Sequence, residues 1–458
     1  MGIPLAFTDH PRASGTLPFM LHASLLGRLE FTLNGAPIAL PTGRALELLV
    51  FLASSPQGRS TATLEAIFGS VSDSSSAGLA EFAAFLEFDA DGVRFTGSSD
   101  VAAYRSLAGD LKGLSKLRGK FCPNLTSSSA AFQAWLESER FELRRIFLAT
   151  LLQNAAQLSE SGRVREGQAN LEFVQRERAT LEPRFAAELG LDLARYYWRL
   201  NQPELTAQTL GAALPDLRGA VLNEAVVNLG AALVRVGRVK EADELLESVV
   251  GGASHGWALA HRANAQRFAG QLEVALQTAD AAYRFAVKDE DGFLAVSALC
   301  VKGEALLEMA IYSKTEPLEA TIAFGKAFGI TEMLGEESSA APLAGLAHAH
   351  AIWGNGQKAL EQAEKAFKRA RTAKDSASVV RALLALYATT RIGSFARNAL
   401  TEARIFNHVP LELLATLCVL EKDANSALAA HAITLARLTG NAACETRAQR
   451  FMTVESPL

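Results

Sequence analysis

The chain has 458 residues, of which 49% are hydrophobic and only 14 are proline, and its net charge is −4. That length predicts two or three domains and that composition a folded, mostly helical protein, while the mild negative charge excludes any global attraction to nucleic acid or an anionic membrane. Cys122, Cys300, Cys418 and Cys444 lie too far apart for a CxxC metal or redox site, which predicts free thiols in a reducing cytoplasm, and no apolar run approaches the roughly 20 residues that span a bilayer.

Residues 1–20 contain Pro4, Pro11 and Pro18 and no unbroken apolar core. They read as a disordered leader, not as a signal peptide. Residues 21–40 alternate like short strands around Asn34-Gly35, a strong hairpin signal. Three helices are predicted next, over residues 43–53, 61–69 and 76–88, and then a second hairpin around Asp91-Gly92. Strands, three helices and a hairpin make the order of a winged helix-turn-helix.

Residues 132–173 form the stretch around which the rest is organised. Phe132, Trp135, Leu136, Leu143, Phe147, Leu151, Ala155 and Leu158 fall at the three-and-four spacing of one helical stripe. Ser161-Gly162 then breaks the pattern and residues 163–174 resume it, predicting two antiparallel helices with Gly162 in a left-handed turn. The serines in residues 123–129 are candidate caps for the long helix.

LLGRLEFTLNGAPIALPTGRALELLVFLA, GVRF with SSDVAAY, and LRGKF with AFQAWLESERFELRRIFLATLLQNAAQLSESGR resemble SARP-type antibiotic regulatory activators. The resemblance spans residues 21–184 and is most specific over 131–162. It implies a winged-helix head, a bacterial transcriptional activator domain, binding of promoter DNA through the third helix and wing, and recruitment of RNA polymerase. The residues argue otherwise on one point. Between Arg59 and Arg94 there is no Lys or Arg, while Glu65, Asp73, Glu81, Glu87, Asp89 and Asp91 are acidic. Affinity for DNA comes largely from cations that displace counterions. Residues 76–88 also lack Arg, Asn or Gln to read a base edge, and Leu79, Phe82, Phe85, Leu86 and Phe88 look built for burial. The candidate phosphate contacts are Arg44, Arg59, Arg94 and the cluster Lys112, Lys116, Arg118 and Lys120.

From residue 186 the chain reads as helical hairpins. Turn residues Gly162, Asn201, Gly237, Gly270, Gly354 and Gly393 recur at a tetratricopeptide-like period, with a divergent unit filling the double gap near residues 312–318. Gly230 and Ala242 are small where the two helices of one unit cross, and Ala275 with Ala282 and Ala359 with Ala366 recur in other units. Residues 411–450 are predicted to cap the array. Tyr196, Tyr197 and Trp198 form the candidate aromatic anchor for a protein or peptide partner on the repeats, with core packing as the plainer account.

Chemistry is sparse. The single GxSxG, at residues 252–256, follows a predicted repeat helix and so reads as an inter-repeat loop. His348 and His350 lie two apart on a helix, on different faces, and read as ordinary helix residues. No cofactor, metal or catalytic site is predicted. The expected fold is mostly α: a leader (1–20), a small α+β winged-helix-like domain (21–99), a helical activator-type domain (100–185) and an α-solenoid of six to eight hairpins (186–458). The expected function is that of a cytoplasmic, non-enzymatic transcriptional regulator whose repeats receive a signal. The alternative is a scaffold with a vestigial winged helix that no longer reads DNA.

Overall fold

A computed structural model describes residues 20–55, 57–69, 80–88, 91–117, 119–335 and 340–452. The predicted leader (1–20, of which only Met20 is described) and Arg118 lie outside them. The chain divides into two compact units, Met1–Glu177 and Arg178–Leu458.

The first unit opens with β1 (Leu21–Ser24), β2 (Glu30–Leu33) and β3 (Ala36–Pro37). Asn34 and Gly35 both take positive φ, 53° and 84°, as a tight primed turn between β2 and β3 requires. Helix α1 (Arg44–Ala53) leads through β4 (Arg59–Ser60) to α2 (Thr61–Phe68), which Ser60 caps by accepting from the Thr63 amide at 3.2 Å. The predicted third helix differs. Its described part is a 3₁₀ turn, Ala80–Phe85, running into strand β5 (Leu86–Phe88). The cause is pairing: Leu86 faces Phe95 and Phe88 faces Val93 across β6 (Gly92–Phe95), so the second hairpin takes residues that helical spacing alone would have kept. Phe82 turns inward against Phe31, with ring centroids 6.0 Å apart, whereas Phe88 is exposed.

Two sheets result, in the orders β3-β2-β1-β7 and β4-β6-β5, where β7 is Ser98–Ser99. Two short helices then follow, α3 (Asp100–Ser106) and α4 (Leu111–Leu114), capped by Ser99 and Asp110. The long helix α5 (Ala130–Glu160) is capped by Ser129 and carries the expected stripe. Its first turns complete the core of this small mixed α/β region: Phe132 and Leu136 are fully buried, and Trp135 lies edge-on to Phe51 at 4.7 Å. Gly162 (φ 83°) ends α5, and α6 (Val164–Arg178) packs back on it.

The second unit is a helical repeat array. Among the described residues it comprises seven hairpins: α7 (Pro183–Arg199) with α8 (Pro203–Ala213), α9 (Gly219–Arg235) with α10 (Val239–Glu247), α11 (His255–Phe268) with α12 (Leu272–Lys288), α13 (Gly292–Ser313) with α14 (Leu318–Leu334), α15 (Ala340–Ile352) with α16 (Gly356–Thr372), α17 (Ser376–Thr390) with α18 (Gly393–Ile405), and α19 (Val409–Leu420) with α20 (Ser426–Thr439). Helix α21 (Ala442–Gln449) closes it. The second helix of a hairpin typically buries a row of alanines, such as Ala275, Ala279, Ala282 and Ala286 on α12 and Ala359, Ala363, Ala366 and Ala370 on α16. Alanine at these spacings lets neighbouring backbones approach closely at no side-chain entropy cost. Gly230 serves the same end, since a Cβ there would stand 2.6 Å from Leu246. The divergent unit is present as α13–α14, but its left-handed turn residue is Lys314 (φ 55°). The turn of α17–α18 likewise uses Arg391 (φ 56°), and Gly393, expected there, is instead the first residue of α18.

The array curls until its early turns meet its late ones. Arg235 donates from Nε to the Phe406 carbonyl at 3.1 Å and from Nη2 to Asn201 Oδ1 at 3.0 Å, with its guanidinium 3.6 Å from the Phe406 ring centroid. Asn407 donates to the Asn201 carbonyl at 2.9 Å, and Asn441 to the Phe268 carbonyl at 3.0 Å. Apart from the Arg235–Asn201 bond, which spans 34 residues, these partners are separated by 171 to 206 residues in sequence. The contacts tie the ends of the curl together.

Candidate functional site

The curl leaves a cavity of about 550 Å³, lined chiefly by the first helices of successive hairpins, α11, α13, α15, α17 and α19, together with α21. Its shape depends on one aromatic ring. Phe324 of α14 is 1% exposed and lies between Gly303 of α13 and Gly345 of α15. A Cβ at either glycine would fall within 2.7 Å of the ring, so only glycine lets the ring sit at the cavity floor. Leu307, Ile311, Leu384 and Leu414 supply apolar wall.

The polar lining forms two groups. In the first, Arg267, only 2% exposed, contacts Glu304 at 2.9 Å and Glu308 at 2.5 Å, while Arg381 Nε reaches the other oxygen of Glu304 at 2.5 Å. Burial opposes charge on Glu304, but the flanking Arg267 and Arg381 outweigh it and hold the carboxyl below the ordinary value. For Glu308 burial wins over its one guanidinium, and its carboxyl is pushed up. In the second group Glu421 accepts from the Tyr387 hydroxyl at 3.1 Å, pairs with Arg447, and has Arg391 at 3.8 Å. His348 faces the same space. Burial and the charge of Arg391 press its pKa down to about 4, so the ring is neutral at pH 7. Burial pushes the Cys418 thiol up to about 12, which leaves it a poor nucleophile.

The candidates read from sequence are dispersed. Tyr196 and Tyr197 are 6% and 8% exposed and belong to the packing of α7, so neither offers a partner its ring. Trp198, 40% exposed, is taken up by Arg235, whose guanidinium lies 5.0 Å from the ring centroid. In the first unit, Arg59 is folded over the Phe51 ring at 4.5 Å and donates to Ser54 Oγ at 3.3 Å. Arg94 pairs with Glu87 across the β5–β6 hairpin. Arg44, Lys112, Lys116 and Lys120 are exposed. His350 turns away from the cavity and bonds Gln362 on α16 at 2.7 Å. The two histidines thus face opposite ways, and His348 is the one sequence reasoning undervalued. Arg267, Glu304, Glu308, Arg381, Arg391, Glu421 and Arg447 were not singled out at all. For Glu304, Glu308 and Arg381 a signal was present, ionisable residues set inside largely apolar first helices, as in VVRALLALY and GEALLEMA, whereas Arg391 and Glu421 are helix caps and Arg447 lies on α21, where charge is ordinary.

Among the described residues no group of three potential metal ligands gathers, and no helix is long and apolar enough to cross a membrane. No protein-family model matches the sequence, and no curated protein is similar to it by sequence. Several solved structures are similar to it in part. A Rap protein complexed with competence and sporulation factor is similar at a TM-score of 0.49 and 13% identity, over 76% of this chain and 94% of that one. A Podosopora anserina structure of nearly identical kinesin light chain TPR-like repeats aligns at 0.34 and 20%, over 43% and 100%. A signal transduction ATPase with a tetratricopeptide repeat sensor from Pyrococcus horikoshii aligns at 0.37 and 12%, over 90% and 62%.

Proposed function

We propose that this chain is a non-enzymatic, tetratricopeptide-type binding protein of the cytoplasm. Its repeat array receives a short peptide or small ligand in the concave cavity, and its N-terminal unit is a vestigial winged helix that contacts protein instead of reading promoter DNA. The observation that carries the reading is the cavity itself. At about 550 Å³ it falls in the size range of small-ligand sites, roughly 300–1,000 Å³, and it combines apolar walls with a few convergent charged groups. Catalysis finds little support in a lining whose thiol is held protonated and whose histidine has no activated nucleophile beside it.

The N-terminal half of the proposal rests on the arginines. Arg59 is committed to Phe51 and Ser54, and Arg94 to Glu87, so neither is positioned to displace phosphate counterions. The residues expected to enter the major groove are, where described, a 3₁₀ turn and an edge strand.

Two measurements test this. A library of short peptides and small organic acids is screened by thermal shift against the wild type and Ala388→Trp, which fills the cavity. Hits are expected to lose binding in the variant while its circular dichroism is unchanged; hits retained by it would remove the cavity from the proposal. Separately, gel retardation of duplex DNA at low salt is expected to be absent. Retardation abolished by changing Lys112, Lys116, Arg118 and Lys120 to Ala would restore the promoter-binding regulator.

A further inference from the structure

Taking the cavity as a binding site, we infer that its ligand is a small amphiphile with a single oxyanion, of the carboxylate class, whose apolar body lies along Leu307, Ile311, Leu384 and Leu414.

Charge complementarity is the first argument. Five cationic side chains line the cavity, Arg267, Lys314, Arg381, Arg391 and Arg447, against three carboxylates, Glu304, Glu308 and Glu421. The difference is an excess of two. Lys314 and Arg391 are also the C-terminal caps of α13 and α17, where helix carbonyls attract cations, so part of that excess is already answered within the fold. What remains suits one negative charge. A dianion would need more cations, and an ammonium would meet guanidinium repulsion on several sides.

Unmet hydrogen-bonding capacity is the second. The Nε of Arg267 is buried and has no acceptor, although the terminal nitrogens of the same guanidinium hold Glu304 and Glu308. That nitrogen is closed even to a water-sized contact, so an arriving ligand would be held by the groups around it and not by the Nε itself. His348 makes no hydrogen bond among the described residues, and as a neutral ring it retains one N–H donor for a ligand oxygen. Lys314 has no ion-pair partner among the described residues, and Arg391 is 65% exposed with its carboxylate at 3.8 Å, so both can turn toward an arriving anion. Guanidinium groups also recognise carboxylates in a planar, two-point geometry.

The wall suits an apolar body. The small lining residues Ala344, Gly345, Ala351 and Ala388 make room, and the Leu and Ile side chains bound it. Burying an alkyl body there is favourable methylene by methylene, so affinity would grow with chain length until the cavity is full.

The test uses the full chain and three probes of equal length: decanoate, decanol and decylammonium, titrated calorimetrically below their aggregation concentrations. Decanoate is expected to bind at least tenfold more tightly than either of the others. Lys314→Asn with Arg391→Asn, asparagine being tolerated at left-handed φ, should weaken decanoate at least fivefold and leave decanol unchanged. Equal binding of decanoate and decanol, or tighter binding of decylammonium, overturns the oxyanion class but leaves the cavity a binding site. Decanoate binding that survives Ala388→Trp overturns both. No binding of decanoate overturns this inference alone, because the peptide screen then decides the cavity.

Discussion

Replacing Gly345 with alanine should reveal how tightly Phe324 is held. The added methyl would stand 2.3 to 2.5 Å from three ring carbons of Phe324, where carbon contacts settle at about 3.5–4.0 Å, so the ring must move by more than about 1 Å. Gly303 crowds the same ring carbons, its own Cβ position lying 2.7 to 2.9 Å from them, so room for retreat is small. Overpacking of this kind costs about 1–3 kcal/mol, while alanine gains about 0.8–1.0 kcal/mol over glycine as a helix former. Gly345→Ala alone should therefore be neutral to about 2 kcal/mol destabilising. In a Phe324→Ala background, itself costing about 3–5 kcal/mol, the clash is gone and the same change should stabilise by about 1 kcal/mol. The coupling in the double-mutant cycle is then about 1–3 kcal/mol, read from urea midpoints by circular dichroism. Additivity within about 0.5 kcal/mol would refute the account of the ring as wedged between two helices.

Three further outcomes are expected. Arg235→Leu leaves the Phe406 carbonyl and Asn201 Oδ1 without their donor, at about 1–3 kcal/mol; amide exchange should quicken around residues 403–411, and unchanged exchange would count against the closure of the curl. Because the folded pKa of His348 lies near 4, below the usual 6.5, the unfolded chain takes up the proton first, so stability should fall as pH drops from about 6.5 toward 4. His261 and His408 are displaced the same way, so His348→Gln should make the fall shallower without abolishing it, by thermal unfolding across pH. Cys418, held protonated up to about pH 12, should react with a thiol reagent far more slowly than a free cysteine at pH 8, and fast labelling in the native state would contradict its burial.

The hairpins were legible because two local signals coincide in them. A glycine or asparagine takes the left-handed turn, as at Gly162, Asn201, Gly237, Gly270 and Gly354, and alanines recur at helical spacing in the helix that follows. Where one signal failed, position was lost. Lys314 and Arg391 hold left-handed φ without being residues that favour it, so the first of these turns could only be interpolated and the second was placed two residues late, at Gly393. The third helix of the N-terminal unit failed differently. Leu79, Phe82 and Leu86 keep a three-and-four rhythm, but Leu86, Glu87 and Phe88 also alternate, and the nearby β6 offered them partners. Such short apolar stretches fit either period, and pairing across the chain decides between them.

The cavity was not legible for a reason of distance. Arg267, Glu304, His348, Arg381 and Glu421 each come from a different hairpin, and successive ones lie roughly one repeat apart in sequence. No window of the chain holds two hairpins' worth of them, so no motif exists to find. What each window does hold is a few ionisable residues in or just after the first helix, which in isolation look like faults in a core pattern. Curvature turns those separate faults into one site. Every hairpin tilts the next by a small angle, and once the early and late turns touch at Asn201 and Asn407 the first helices face a common interior. Partners for the buried charges are then supplied by helices up to several repeats away, as Arg381 is for Glu304 across 77 residues. The sequence requirement is therefore periodic placement and not adjacency, so moving one such residue by a single position along its helix should remove it from the cavity and leave its former ion-pair partner buried and unpaired.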